Sequence, residues 1–241
     1  MFATWRDPFV GTIERLGSLG CGWNVPTNVL KRSGIGVCVG AGEDVSFDVA
    51  LNKLGLSVHC VDPTPRANDH VSALLARAAE ITETNSRVEL EAGPEYDLSG
   101  FDPSRFRFWQ YGLWNSRKTM KFFAPRDAAH VSHSIVNLQE TSNFFEAECI
   151  RFSDFLELAG LSQVDILKLD VEGAEYSIIE DVLSGNVLPS VMLVEYDEAN
   201  HPKDPNFRSR IRNSIELCRS RGYILAHVEA CNFMFVRTNN K

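Results

Sequence analysis

Apolar positions along this chain recur in two rhythms that take turns. "GIGVCV" (Gly34 to Val39) is a short apolar run, followed by a glycine-containing loop. Phe47, Ala50, Leu51 and Leu54 then fall at i, i+3, i+4 and i+7, one stripe of a helix, and Gly55 ends it. "LSVHCVD" (56–62) is the next strand, and Val71, Leu74, Leu75 and Ala78 mark a second amphipathic helix. "FRFWQYGLW" (106–114) mixes aromatics as strands do, with "KTMKFFAP" as a candidate neighbour. A helix is expected over 153–160, with Ser153 as its N-cap, and a strand over 165–169. Next come a helix over 174–183 (Ala174, Ile178, Val182 on one stripe) and the buried strand "VMLVEY" (191–196). A helix over 207–221 carries Phe207, Ile211, Ile215 and Cys218 on one face, and "YILAHVEACNFMFVR" reads as a closing strand pair. Strand and helix in alternation imply parallel pairing with right-handed crossovers, hence a doubly wound, Rossmann-like α/β sheet. Residues 1–33 show no strand pattern and read as a helical cover, with "GWNVP" (22–26) as its turn-rich end. Residues 34–241 form the main domain, and 93–105, rich in Gly, Pro and Asp, reads as a loop.

Composition narrows the classes. At 241 residues and 44% hydrophobic content, a single packed domain is expected. No apolar run approaches the ~20 residues of a membrane span, and the N-terminus lacks a secretory pattern, so a cytoplasmic protein without a membrane partner is expected. The balance of 24 Lys plus Arg against 32 Asp plus Glu, net −8, disfavours a nucleic-acid partner. The basic residues Arg208, Arg210, Arg212, Arg219 and Arg221 read as a solvated helix face. Six cysteines without C-x-x-C spacing support neither a disulfide framework nor a zinc site.

In an open parallel sheet, ligands bind beyond the carboxyl ends of the strands. Four strand ends therefore carry the chemistry. The first is "VCVGAGEDVSFD", where Gly40 and Gly42 let backbone approach a ligand. The third glycine of a dinucleotide fingerprint is replaced by Val45, and Glu43 and Asp44 would repel a pyrophosphate but welcome an amine. They could equally be acids favouring a helix N-terminus. The second is Asp62, 22 residues beyond Gly40, placed to accept ribose hydroxyls or simply to open the following Asp-Pro turn. The third is "DILKLDVEGAEY": Asp170 ends the strand, Glu172 faces the cleft mouth, Gly173 permits a turn, and Glu175 falls in a helix's first turn, where negative charge is stabilised. The fourth is "VMLVEYDEANH", which sets Glu195 and Asp197 beside Asp170, with His201 soon after. Clustered carboxylates repel unless they bind a cation, share a proton or pair with a base. Asp170 and Glu195 are thus candidate ligands for Mg²⁺ or Ca²⁺.

"VDILKLDVEGAEY" with "VMLVEY" resembles the FkbM family of S-adenosylmethionine-dependent methyltransferases, whose distinctive motif is a strand ending in D-x-E-G-x-E. "GWNVP", "VGAGEDVSFD", "VDPTP" and "SHSIVNLQ" resemble further blocks in the same order, and together they cover roughly residues 20–200. The chain departs from many members at Cys38, where they carry an acid, and at Gly42 and Asp44, where they carry Asn and Gly. The resemblance implies a class I methyltransferase fold, a mostly parallel seven-stranded sheet whose last strand is antiparallel. It implies S-adenosylmethionine as cofactor and O-methylation of a hydroxyl on a sugar, glycan or alicyclic small molecule. Gly40, Gly42, Glu43 and Asp44 would approach the methionine part of the cofactor, Asp62 the ribose, and residues near Gly112 the adenine. Asp170 is a further candidate contact to the cofactor.

An alkyl hydroxyl is a poor nucleophile until its proton is removed or a metal lowers its pKa. Asp170, Glu195 and Glu172 are candidates for that role, with or without Mg²⁺; His133 and His201 are the other candidate bases. His59, inside a strand, reads as packing. Trp23, Trp109 and Trp114 are candidate pocket walls, though such aromatics more often belong to a core. Two other classes share the sheet: a nicotinamide oxidoreductase, for which no Y-x-x-x-K dyad is present, and a silent scaffold, which would have no use for strand-end acids.

Overall fold

The computed structural model describes residues 2–82, 85–124, 135, 141–200 and 202–238. The elements in chain order are β1 (Ile13–Leu16), β2 (Trp23–Pro26), β3 (Ile35–Val39), α1 (Ser46–Lys53), β4 (Ser57–Val61), α2 (Pro65–Ala78), β5 (Arg87–Val88), β6 (Tyr96–Asp97), β7 (Phe106–Trp109) and β8 (Gly112–Leu113). They continue as β9 (Lys118–Phe123), β10 (Phe144–Ile150), α3 (Phe152–Ala159), β11 (Ile166–Leu169), α4 (Glu175–Ser184), β12 (Val191–Glu195), α5 (Phe207–Ser220), β13 (Tyr223–Glu229) and β14 (Asn232–Arg237).

Seven strands form the central sheet in the order β13-β14-β12-β11-β3-β4-β7. β7, β4, β3, β11 and β12 pair in parallel, and β14 runs antiparallel to both its neighbours. Strand order reverses between β3 and β11, which makes the space beyond their carboxyl ends the expected ligand position. Val37, Val39, Leu167, Leu169, Met192 and Val194 pack with α3, α4 and α5 on one face of the sheet. Cys38, Val58, Cys60, Ile166 and Leu193 pack with α1, α2 and the β1–β2 hairpin on the other. Runs buried on both faces explain the near-continuous apolar character of β3, β4, β11 and β12.

The expected N-terminal helical cover is replaced by a short 3-10 turn (Phe2–Trp5) and the antiparallel hairpin β1–β2, with Ile13 opposite Pro26 and Leu16 opposite Trp23. Each strand has only four residues, and Pro26 reads as a turn residue although it is tolerated at a strand end. The aromatic stretch 106–114 is split between β7 and β8, and β9 does not pair with β7. Both β8 and β9 join β10 in a separate three-stranded sheet. The expected loop 93–105 contains the short strand β6 and a 3-10 turn at Pro103–Arg105. Helix α3 begins one residue before the expected Ser153 cap. Asp181 of α4 accepts from the Phe152 N–H at 2.8 Å and pairs with Arg151 at 2.7 Å, so the cap comes from a distant side chain. No helix among the described residues is long and apolar enough to cross a membrane.

Candidate active site

Backbone hydrogen bonds carry three strand-end residues to one edge. The Gly40 N–H donates to the Val61 carbonyl, that of Asp170 to Val39, and that of Asp62 to Trp109, at 3.0–3.1 Å. Gly40 has φ +86°, and a Cβ there would collide with the Asp170 carbonyl oxygen, so only glycine lets β3 and β11 close at this point. Gly42 is also left-handed, at φ +53°. Beyond these ends lies a cavity of about 300 Å³, lined by Gly40, Gly42, Glu43, Asp44, Asp62, Gly112, Asp170 and Glu172 among others. Every residue expected from the sequence to meet the cofactor thus faces one space.

The acids of the glycine loop are occupied by protein partners. Asp62, buried, accepts from the Ala41 N–H at 2.8 Å and the Gly42 N–H at 3.1 Å through Oδ2. Its Oδ1 accepts from the Thr64 N–H at 2.7 Å and the Thr64 hydroxyl at 2.6 Å. Four donors fill the acceptor capacity of a carboxylate. Asp44 accepts from the Ser46 N–H at 2.9 Å and from the Ser18 hydroxyl at 2.7 Å. Glu43 forms a two-point pair with Arg66 at 2.6 and 3.1 Å. These side chains shape and hold the loop.

The other side is different. β11 and β12 are adjacent, Leu169 opposite Val194, so Asp170 and Glu195 stand at neighbouring tips. Burial and the Asp170 charge push Glu195 up to about 7; the Cys231 thiol, donating to Glu195 Oε1 at 3.0 Å, opposes this. Asn200 Nδ2 in turn donates to Cys231 Sγ at 3.0 Å. Asp197 is raised to about 9 by burial and then by the charges of Glu172 and Glu175. Glu175, only 1% exposed, is raised to about 8. Its burial outweighs the Gly173 N–H that it accepts at 2.7 Å, so the expected helix-terminal stabilisation of its charge does not dominate. Glu172 sits in the left-handed region at φ +50°, a conformation uncommon outside glycine.

One residue in the buried strand was passed over in the sequence. Lys168, 5% exposed in mid-β11, donates to the Gly40 carbonyl oxygen and pairs with Asp170 Oδ2 at 3.1 Å. Burial alone would lower its pKa, but the negative charges of Asp170 and Asp48 overcome that and raise it. A lysine interrupting an otherwise apolar parallel strand was the available signal. Its ammonium occupies one oxygen of Asp170, and the Cys231 thiol occupies one of Glu195. Among the described residues no group of three or more His, Cys, Asp or Glu side chains is arranged to hold a metal ion, so the expected Mg²⁺ at Asp170 and Glu195 gains no support.

His133 and His201 lie outside the described residues, as does most of "SHSIVNLQ". His59 packs as expected: its Nδ1 accepts from Trp109 Nε1 at 3.0 Å, and burial lowers it to about 4. Trp109 stacks on His59 and meets Phe155 edge-on, away from the cavity. Trp23 borders a second cavity, of about 380 Å³, which adjoins the first through shared lining residues Asp170 and Cys21.

The sheet order, the antiparallel β14 and the strand-end cavity define a class I methyltransferase fold. The methyltransferase FkbM domain matches residues 34–225, and the chain belongs to that family. A crystal structure of methyltransferase FkbM from Methylobacillus flagellatus KT is similar, with a TM-score of 0.50 and 13% identity, over 88% of this chain and 46% of that one. This chain therefore spans about half the length of that relative. Magnesium protoporphyrin IX methyltransferase (ChlM) from Synechocystis PCC 6803, solved with bound SAM, aligns at a TM-score of 0.41 and 11% identity, over 88% of this chain and 73% of that one. No curated protein matches the chain. S-adenosylmethionine use is the expectation for this family, and the residues present fit it. The glycine loop and several acids border one strand-end cavity, which has the size of a small-ligand pocket.

Proposed function

We propose that this chain transfers a methyl group from S-adenosylmethionine to a hydroxyl oxygen of a small molecule or glycan, with the Asp170–Glu195 pair taking the hydroxyl proton. The observation that carries the reading is this pair of carboxyls at neighbouring strand tips: Asp170 lines the cavity walled by the glycine loop, and Glu195 lines the adjoining cavity that shares Asp170 with it. The cofactor supplies an electrophilic methyl on a sulfonium, which leaves as a neutral thioether. Gly40 and Gly42 give backbone access to the cofactor, Asp62 fixes the loop that carries them, and residues around Gly112 and Leu113 close the far end. Burial and then the Asp170 charge hold Glu195 at about 7, the useful range for a general base. Lys168 pairs with Asp170 and ties it to the glycine loop.

Calorimetry with S-adenosylhomocysteine and with NAD tests the reading. Binding of the first and not the second is expected; the reverse would make the chain an oxidoreductase. If Asp170→Asn and Glu195→Gln both left S-adenosylhomocysteine production unchanged, the carboxyl pair would have no role in the transfer.

A further inference from the structure

The start of α1 leaves a donor that its own helix cannot satisfy. Val45, fully buried, precedes the first turn, and its side chain offers no cap. Its N–H donates to the Tyr96 hydroxyl at 3.2 Å. An orphaned N–H so deeply buried would be costly, so β6 completes the glycine loop from outside the central sheet. The segment leading into β6 touches the loop a second time. Gly93 lines the strand-end cavity with Glu43, at φ +85°, and a Cβ there would collide with the Glu43 carbonyl oxygen.

Proton accounting at Tyr96 fixes the state of its other partner. His70 of α2 places Nε2 2.7 Å from the same hydroxyl, and both side chains are buried. The hydroxyl oxygen already accepts from Val45, so its own proton needs an acceptor, and Nε2 is in place to be one. His70 is therefore neutral, with its proton on Nδ1. Burial favours the same state, lowering His70 below its ordinary 6.5 and raising the tyrosine. Among the described residues, Glu43 and Asp44 from the glycine loop and Tyr96 from β6 are the titratable groups facing the ring. The two acids pull His70 upward without overcoming its burial, and Arg66, one turn away on α2, is paired with Glu43.

We propose that Tyr96 and His70 are positioning residues for the cofactor: the hydroxyl, held by a neutral imidazole, fixes the start of α1 and with it the glycine loop that borders the cavity. The proposal rests on the S-adenosylmethionine reading and extends the cofactor site to residues beyond the strand ends. A proton on Nε2 would turn that nitrogen into a donor. The tyrosine proton would then lose its acceptor, and a positive charge would appear near Glu43 and Asp44, the acids that favour the cofactor's amine. Both consequences oppose binding. Cofactor affinity is therefore complete above pH 6.5 and declines as pH falls through the lower value His70 has in the fold.

Calorimetry with S-adenosylhomocysteine reads the effect. At about pH 7, Tyr96→Phe keeps the ring, removes the hydroxyl and should weaken binding by about tenfold. His70→Ala should weaken it by about threefold, and His70→Gln, whose amide oxygen can accept the tyrosine proton, should recover most of that loss. Between about pH 8 and pH 5 the native affinity should fall, and His70→Gln should flatten the fall. Long-range nitrogen-15 NMR of the native protein gives a reading that needs no variant. The expected result is the Nδ1–H tautomer of His70, with a titration midpoint that drops when S-adenosylhomocysteine is added. The Nε2–H tautomer, a midpoint indifferent to the ligand, or unchanged affinity in folded Tyr96→Phe would overturn the proposal. Failure of the native protein to bind S-adenosylhomocysteine at all would instead overturn the methyl-transfer reading beneath it.

Discussion

The two halves of the strand-end rim both carry acids and treat them in opposite ways. Beside β3 and β4, Asp62, Asp44 and Glu43 each have partners: backbone N–H groups, hydroxyls and a guanidinium. Beside β11 and β12, Glu195, Asp197 and Glu175 crowd together in burial; Lys168 brings a positive charge to Asp170, and Lys203 opposes the rise of Glu175 without overcoming its burial. Partnered carboxylates build the loop. Crowded ones are driven toward their protonated forms, which makes proton exchange near neutral pH available. A strand-end acid therefore indicates chemistry only once its partners are known.

The largest expected effect tests the crowded half. Glu195→Gln should lower methyl transfer by about 10²–10³-fold while S-adenosylhomocysteine affinity changes little. The native pH profile should rise through about 7 as Glu195 loses its proton, and that limb should vanish in the variant. A profile still rising at 7 in Glu195→Gln would move the base elsewhere. Next, Lys168→Met should cost about 3–5 kcal/mol in denaturant unfolding, because it leaves Asp170 without its buried partner.

Glu175→Gln comes third. The folded carboxyl holds its proton up to about 8, against an ordinary value of 4.5. Between those values the folded state binds the extra proton, so this residue lowers stability as pH rises. The amide should therefore stabilise the protein by about 1–3 kcal/mol at pH 7 to 8 and flatten that decline, seen in melts across pH. Identical pH slopes would mean the carboxyl finds a partner on burial. Smallest is Arg66→Ala on the partnered half. An exposed pair with Glu43 should change stability by about 1 kcal/mol or less. A much larger loss there would erase the contrast between the halves.

From Gly34 onward much was legible, because strands buried on both faces leave unbroken apolar runs and amphipathic helices leave stripes. Asp62, Asp170 and Glu195 could be placed because they follow such runs directly. The β1–β2 hairpin was not legible: its strands are short, β1 is mostly exposed, and Pro26 disguises β2. Lys168 was overlooked because its environment, not its identity, makes it part of the site. The second cavity could not be read from local pattern at all, since Arg15 and Glu229 meet across 214 positions of sequence. Asp181 capping α3 from α4 is the same kind of long-range event.

Asp170 belongs to both chambers, and that single threshold invites a chemical tool. A molecule that joins an adenosyl fragment to a second small fragment would pass from one chamber to the other beside Asp170 and Cys21, which line both. The second half would then bind at the high effective concentration of a tethered partner, giving avidity without a new contact.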